Sequence, residues 1–390
     1  MQHWAITALA VALAVFTAPL FFDLALAIVG NLFPARGPQA DAKLNIRVAV
    51  VVPAHDEEAM IARTVASIRA ADLAVPVFVV AHNCTDATGE VAAKAGAQVL
   101  ELNDPALRGK AAALRAGFAA ALEAGASALL VIDADSVVSA NLIAATRKAM
   151  EAGAEATQCR YELEISAATG ARGRLRALAF RGMNVLRAAG RAGLGFSAGV
   201  FGNGFGLTAS TLNSVPFAAD SIAEDLEYHV RLVSSGLRVH WLEDAFVHAP
   251  LASAGRAQAA QESRWEGGRL GVARRSTGRL LAAILRGNWR ALETLAEVWS
   301  LPLSRGILAL LLAAVVPVFW LQMYAVACLA IAVIYVLEAA LLGQEPLRDL
   351  VALAAAPWHM VWRVAITPLV LRQSRRRAEW ARTKREAPRP

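Results

Sequence analysis

Cysteine is scarce in this chain. Cys84, Cys159 and Cys328 share no metal-ligand spacing and make no disulfide framework, so they are read as reduced or buried thiols. Charge is scarce as well, at 18% of residues against about 25% in an ordinary soluble chain. No G-x-G-x-x-G follows the first β-branched run, Val48–Val52, which removes the fingerprint of a dinucleotide oxidoreductase. The N terminus lacks the basic start and short apolar stretch of a cleaved signal peptide. Apolar residues, by contrast, are in excess, at 57% of 390 with a mean hydropathy of +0.44. Disorder, collagen and coiled coil are excluded by that apolar mass. At about 150 residues per domain the length suggests two or three units.

The excess lies partly in alanine and partly in long uncharged runs at both ends. Trp4 to Phe33 is apolar apart from Asp23 and two small breaks, and exceeds the about 20 residues a bilayer requires. It reads as an uncleaved anchor, residues 1–35, with Arg36, Lys43 and Arg47 marking its cytoplasmic end. Gly306 to Leu342, charged only at Glu338, is long enough for two crossings with a hinge near Pro317–Gln322. Val351 to Leu371 carries Pro357, His359, Arg363 and Pro368. A further full crossing there would strand the Arg-rich tail outside, so an interfacial or re-entrant helix is expected. The net charge of +7 and pI near 9.8 could suggest nucleic acid. The densest basic cluster, however, lies in residues 372–390, directly after an apolar segment, and is read as facing anionic lipid on the inner (plasma) membrane, with no nucleic acid partner.

The middle, residues 45–285, is expected to be a water-soluble cytoplasmic domain. Strands are predicted at Val48–Val52, Val77–Val80, Gln98–Leu102 and Ala128–Ile132, alternating with helices at Glu57–Ala70, from Asp86 or Thr88 through Lys94, and at Gly109–Glu123. Such alternation predicts an α/β fold with a mostly parallel sheet and ligands at the carboxyl edge of its strands. Three polar clusters fall at those ends: Pro53 to Glu57, His82 to Asp86, and Asp133-Ala134-Asp135. Gly202-Asn203-Gly204 and Gly206 read equally as a loop near a ligand or a plain turn.

Asp133 and Asp135 would point to one side if the strand continued, and would then share a hard cation such as Mg²⁺ or Mn²⁺ with substrate phosphates. A solvated pair capping a following helix is the plainer alternative. Glu224 and Asp225 read either as acidic residues on a first helical turn or as a carboxylate base. On a helix, Gln261, Arg264 and Trp265 share a face suited to a phosphorylated ligand and a sugar ring, unless the Trp is core and the Arg snorkels.

The motifs in order are Pro53-Ala54-His55-Asp56-Glu57, Asn83-Cys84-Thr85-Asp86, Arg108-Gly109-Lys110, Asp133-x-Asp135, Glu224-Asp225 and Gln261-x-x-Arg264-Trp265. Together they resemble the membrane-embedded family 2 glycosyltransferases, which include cellulose, chitin, hyaluronan and poly-N-acetylglucosamine synthases and ceramide glucosyltransferases. The resemblance covers roughly residues 45–270 plus the terminal membrane helices. It implies a GT-A type nucleotide-sugar domain flanked by transmembrane helices. Ala54, His55 and Glu57 would hold the uridine, with Lys110 near the nucleotide. Asp133 would be the first carboxylate of the nucleotide-sugar site and Asp135 the direct ligand of a divalent metal, Mg²⁺ or Mn²⁺. Asp225, with Glu224 beside it, would be the general base, and Gln261, Arg264 and Trp265 would hold the diphosphate and shape the acceptor site. Many relatives carry aspartate where this chain has Ala81-His82; neutral His82 would accept the base's hydrogen bond through one ring nitrogen. The implied reaction is inverting transfer from a UDP-sugar to a lipid-linked or polysaccharide acceptor. Single addition to a glycolipid, or non-catalytic nucleotide-sugar binding, are the alternatives.

Overall fold

The computed structural model describes residues 2–38, 45–107, 109–166, 168–219, 221–251 and 256–373, and within them all side chains except those of 2–3, 256–262, 264 and 371–373. The N-terminal half of the sheet follows the predicted alternation. Strands β1 (Val48–Ala54), β2 (Val77–His82), β3 (Gln98–Leu102) and β4 (Ala128–Val131) lie parallel in the order β3-β2-β1-β4. Every residue of β1, β2 and β4 is buried. Unbroken Val, Leu and Ala runs demand this, since a strand wetted on one face would alternate with polar residues. Val50, Val51 and Val52 are 0% exposed, and each such side chain contributes about 1.5–3 kcal/mol by leaving water.

The second half departs from simple alternation. Strands β5 (Val137–Val138), β6 (Ala156–Leu163), β7 (Phe205–Thr208) and β8 (Val239–Ala249) complete an eight-stranded sheet, β3-β2-β1-β4-β7-β6-β8-β5. Strand β7 enters antiparallel to both β4 and β6. With four residues and a glycine inside, it carries no periodic signal of its own.

Two local expectations need correction. The helix expected from Glu57 begins at Ile61, because Asp56 adopts φ +53 and the chain turns through Met60 first. Its buried face is Ile61, Thr64, Val65 and Ile68, as the helical spacing predicts. The strand ending at Val131 does not extend through the two aspartates: residues 134–135 form a turn, so Asp133 and Asp135 do not share a pleat face.

Helices Gln2–Gly30 and Phe319–Leu341 contain stretches long and apolar enough to cross a membrane. The expected second crossing in Gly306–Leu342 is shorter than predicted. Helix Leu303–Val315 has 13 residues, about 20 Å at 1.5 Å each, against about 30 Å of hydrocarbon. It reaches a spanning length only with Ala291–Trp299, to which it is bent by 78°. The break before Phe319 falls at Val316–Val318, overlapping only the start of the Pro317–Gln322 hinge expected, since Phe319–Gln322 are already helical. Beyond it the chain breaks into Pro346–Ala352, Ala356–Ala365 and Thr367–Gln373. The basic tail from residue 374 lies outside the described residues.

Asp23, the lone acid of the first apolar run, is 1% exposed. It pairs with Arg187 and, at 3.0 Å, with Arg191 on helix Arg187–Leu194. Arg191 also meets Glu293 at 2.6 Å and Glu297 at 3.0 Å. Nearby, Glu266 pairs with Arg305 at 2.6 Å and with Arg363. Glycine makes the close approach possible: a Cβ on Gly190 would stand 2.3 Å from the Ala27 carbonyl oxygen. This interlocked seam fixes the N-terminal helix against the sheet domain.

Candidate active site

The loops after β1, β2 and β4 meet at one sheet edge. Asp56 (φ +53) and Asn83 (φ +50) turn the chain sharply just past β1 and β2, a conformation that Asp and Asn tolerate better than most residues. His55 Nδ1 donates to the His82 carbonyl at 2.8 Å, and His82 Nε2 donates to the Leu107 carbonyl at 2.8 Å. Burial pushes the His82 pKa down, so this imidazole is neutral and cross-links two loops. His55 and Glu57 line a cavity of about 1040 Å³; Ala54 (0% exposed) and His82 (2%) are packed behind that wall.

Lys110 begins helix Lys110–Glu123, after Gly109 at φ +92. Its ammonium pairs with Asp133 and donates to the Gly202 carbonyl at 2.7 Å. Gly202 itself (φ +75) leaves no slack, since a Cβ there would lie 3.1 Å from Asp225 Oδ2 and 3.6 Å from Lys110 Nζ. Residues from four separate chain segments, Lys110, Asp133, Gly202 and Asp225, therefore crowd one point of the cavity wall. Glu224 and Asp225 open helix Glu224–Ser234, and Asp225 Oδ1 accepts from the Leu226 N–H at 2.8 Å. The pair stands on the first helical turn, as one reading expected, and also lines the cavity.

Three carboxylates thus face one ammonium. Burial, and then Asp225, push the Glu224 carboxyl up to about 7, against the pull of Lys110. Burial also raises Asp225, opposed by its backbone hydrogen bond and by Lys110. Burial works against the Lys110 charge, but Asp133 and Glu224 outweigh it and hold its pKa above the ordinary lysine value.

Asp135 is 2% exposed and accepts from Ser136 at 3.3 Å. Carboxylate oxygens suit a hard divalent cation; Asp133 offers one on the cavity wall, already paired with Lys110, whereas Asp135 is packed behind that wall. Across the β5–β8 ladder, His248 stands opposite Val137, two residues beyond Asp135. A different group, Asp56, Cys84 and Asp86, has ligand atoms within 4.8 Å of one another. There Asp56 accepts from the Thr85 N–H at 2.6 Å and Asp86 from the Thr88 N–H at 3.0 Å, which makes the group a brace between loops.

Trp265 is 43% exposed and lines the cavity, tilted against Phe180 at 6.3 Å between ring centroids. Gln261 and Arg264 lie on the same helix, Arg256–Leu285, but their side chains are outside the described residues, as is Arg108. Two supports were not singled out from the sequence, although the loop holding the first, Gly202-Asn203-Gly204, was read equally as near a ligand or as a plain turn. Asn203, 0% exposed, accepts from the Asp133 N–H at 3.0 Å and donates to Ser136 at 2.8 Å. Gln158 donates to the Asn203 carbonyl at 2.8 Å and accepts from the Phe201 N–H at 3.0 Å. A polar residue held between two glycines was the available signal for Asn203; Gln158, inside a strand, offered none.

Residues 46–268 match the family described as "Glycosyltransferase like family 2". The chain belongs to glycosyltransferase family 2. Its mixed α/β domain is a GT-A-like fold with a mostly parallel eight-stranded sheet. Among solved structures, a mannosyltransferase from Pyrobaculum calidifontis in complex with GDP-Man and Mn²⁺ is similar at 17% identity and a TM-score of 0.55, covering 95% of this chain and 97% of that one. A glucosyl-3-phosphoglycerate synthase from Mycobacterium tuberculosis, in complex with Mn²⁺, UDP and glucosyl-3-phosphoglycerate, is similar at 20% identity and a TM-score of 0.42, covering 61% and 80%. No curated protein sequence matches the chain. For this family 2 member the first of these likenesses speaks to the fold, which it shares from the sheet into the terminal helices.

Proposed function

We propose that this chain is an inverting, metal-dependent hexosyltransferase that moves a sugar from a UDP-sugar to a lipid-linked or growing glycan acceptor, in exopolysaccharide or glycolipid synthesis at the inner membrane. The observation that carries the reading is the meeting of Lys110, Asp133 and Asp225 around Gly202 on one cavity wall. Asp225, one of the carboxylates in this crowd, takes the proton of an acceptor hydroxyl as its oxygen attacks the anomeric carbon. The bond from that carbon to the diphosphate breaks on the opposite side, so an α-linked donor yields a β-linkage without a covalent sugar–enzyme stage. Lys110 orients Asp133 and adds positive charge beside the nucleotide, while His55 and Glu57 form the wall where the base would lie. When bound, a divalent cation on Asp133 and Asp135 supplies positive charge to the departing diphosphate. A neighbour of the same fold crystallised with GDP-Man and Mn²⁺ supports a nucleotide-sugar donor used with a divalent metal.

The test is a panel of UDP-sugars, with GDP-mannose alongside, incubated with Mn²⁺ and membranes and scored for nucleoside diphosphate release. One or more UDP-sugars should be consumed, and Asp225→Asn should lower kcat by about 10²-fold or more. Intact turnover in a well-folded Asp225→Asn protein would remove the base assignment. Consumption of GDP-mannose alone would remove the uridine assignment.

A further inference from the structure

The cavity does not end within the sheet domain. One end is walled by Lys110, Asp133 and Asp225; the other by Leu20, Leu24, Ile307 and Val336. Leu20 and Leu24 belong to helix Gln2–Gly30 and Val336 to helix Phe319–Leu341, the two helices that can cross a membrane. A path therefore runs from the carboxylates to a gallery where Leu20, Leu24, Leu301, Leu303, Ile307 and Val336 form much of the wall, beside Tyr335 and Arg187. Such a largely apolar wall suits acyl or prenyl chains better than the many hydroxyls of a polysaccharide.

Arg269 lines the same cavity, one helical turn beyond Trp265. It lies within electrostatic range of Glu266 and Glu297, and of Arg305 and Arg363. Both glutamates, however, are already engaged, Glu266 by Arg305 and Arg363 and Glu297 by Arg191. The seam described above contains four carboxylates (Asp23, Glu266, Glu293, Glu297) and, with Arg269, five guanidinium groups, the others being Arg187, Arg191, Arg305 and Arg363. Among the described side chains, the guanidinium groups of this seam outnumber its carboxylates by one, and Arg187, Arg269 and Arg363 line the cavity together with Glu266 and Glu297. A desolvated guanidinium whose nearby carboxylates are shared with other arginines gains from a further anion, and its planar fork matches phosphate oxygens.

We propose that the acceptor is a phospholipid bearing a free hydroxyl: its chains occupy the gallery, its phosphate pairs with Arg269, and its hydroxyl reaches Asp225. This rests on the transferase reading and narrows its acceptor to one chemical class. In the transfer the lipid hydroxyl oxygen forms the new bond to the anomeric carbon. The carbon–diphosphate oxygen bond breaks with its electron pair leaving on the nucleoside diphosphate, and the hydroxyl proton passes to Asp225. No oxidant or further reactant is required.

The full-length protein in detergent, with Mn²⁺ and the donor consumed in the panel above, is given three acceptors. These are vesicles of dioleoylphosphatidylglycerol, dioleoylglycerol in phosphatidylcholine vesicles, and soluble glycerol 3-phosphate. Glycosylated lipid, identified by mass, should form from phosphatidylglycerol at least tenfold faster than from either alternative. Arg269→Gln should raise the KM for that lipid tenfold or more, while the KM for donor moves by less than twofold, and Arg269→Lys should recover part of the loss. Val336→Trp, which narrows the gallery from helix Phe319–Leu341, should slow the lipid reaction in a protein that still binds donor. Equal turnover of dioleoylglycerol, or of glycerol 3-phosphate, overturns the proposal and leaves the transferase standing. So does a rise in donor KM with Arg269→Gln, which would assign this arginine to the donor diphosphate. Failure of every donor to turn over sinks the transferase reading itself.

Discussion

Lys110 is the residue on which the electrostatics of the site turn. Its ammonium pairs with Asp133 and lowers the pKa of both Glu224 and Asp225, which burial drives upward. Replacing it by glutamine removes that pull, so both carboxyls protonate at higher pH. A base must be ionised to accept a proton. The acid limb of the pH–rate profile should therefore move to higher pH in Lys110→Gln, and kcat/KM at pH 7 should fall by about 10²-fold. An unmoved acid limb in a folded variant would mean that Lys110 does not govern these carboxylates. The two acids share their protons, so the profile reports the pair rather than either residue. The motif order in the sequence marked Lys110, Asp133, Glu224 and Asp225 as a set. Their common meeting point at Gly202 was not legible, because nothing local in residues 110, 133, 202 and 225 encodes their distance in space.

At the scale of elements, the seam between helices Gln2–Gly30 and Arg187–Leu194 joins a span-length helix to the sheet domain. Gly190 places the two backbones in contact, and the buried Asp23 gives Arg187 and Arg191 their counter-charge. Asp23→Ala leaves two guanidinium groups short of a carboxylate and should cost about 3–5 kcal/mol, read as a lowered Tm in detergent. Gly190→Leu should be at least as damaging, since the added side chain meets backbone atoms that cannot swing aside. If Asp23→Ala melts with the parent protein, the seam is not holding the helix. In the sequence Asp23 was only an interruption of an apolar run; its partners lie more than 160 positions away, on helix Arg187–Leu194. The break at Val316–Val318 was visible, because Pro317 cannot continue a helix.

For the whole molecule, two helices of span length hold the sheet domain from either end of the chain. The protein should sediment with membranes, resist extraction by high salt and be released by detergent. Release by salt alone would reduce those helices to an amphipathic or buried role. The parallel half of the sheet, the three polar clusters at its edge and the apolar ends follow from the sequence by itself. They are short-range patterns: β-branched runs with no polar alternation, turn residues directly after them, and apolar stretches longer than a bilayer is thick. Only the tertiary structure decided that β7 lies antiparallel inside the sheet, that Asn203 and Gln158 brace the aspartate loop, and that one cavity joins the carboxylates to the apolar helices. Each of these depends on contacts between segments tens to hundreds of residues apart, whose energy is spread over packing and buried polar pairs and leaves no periodic trace in the chain.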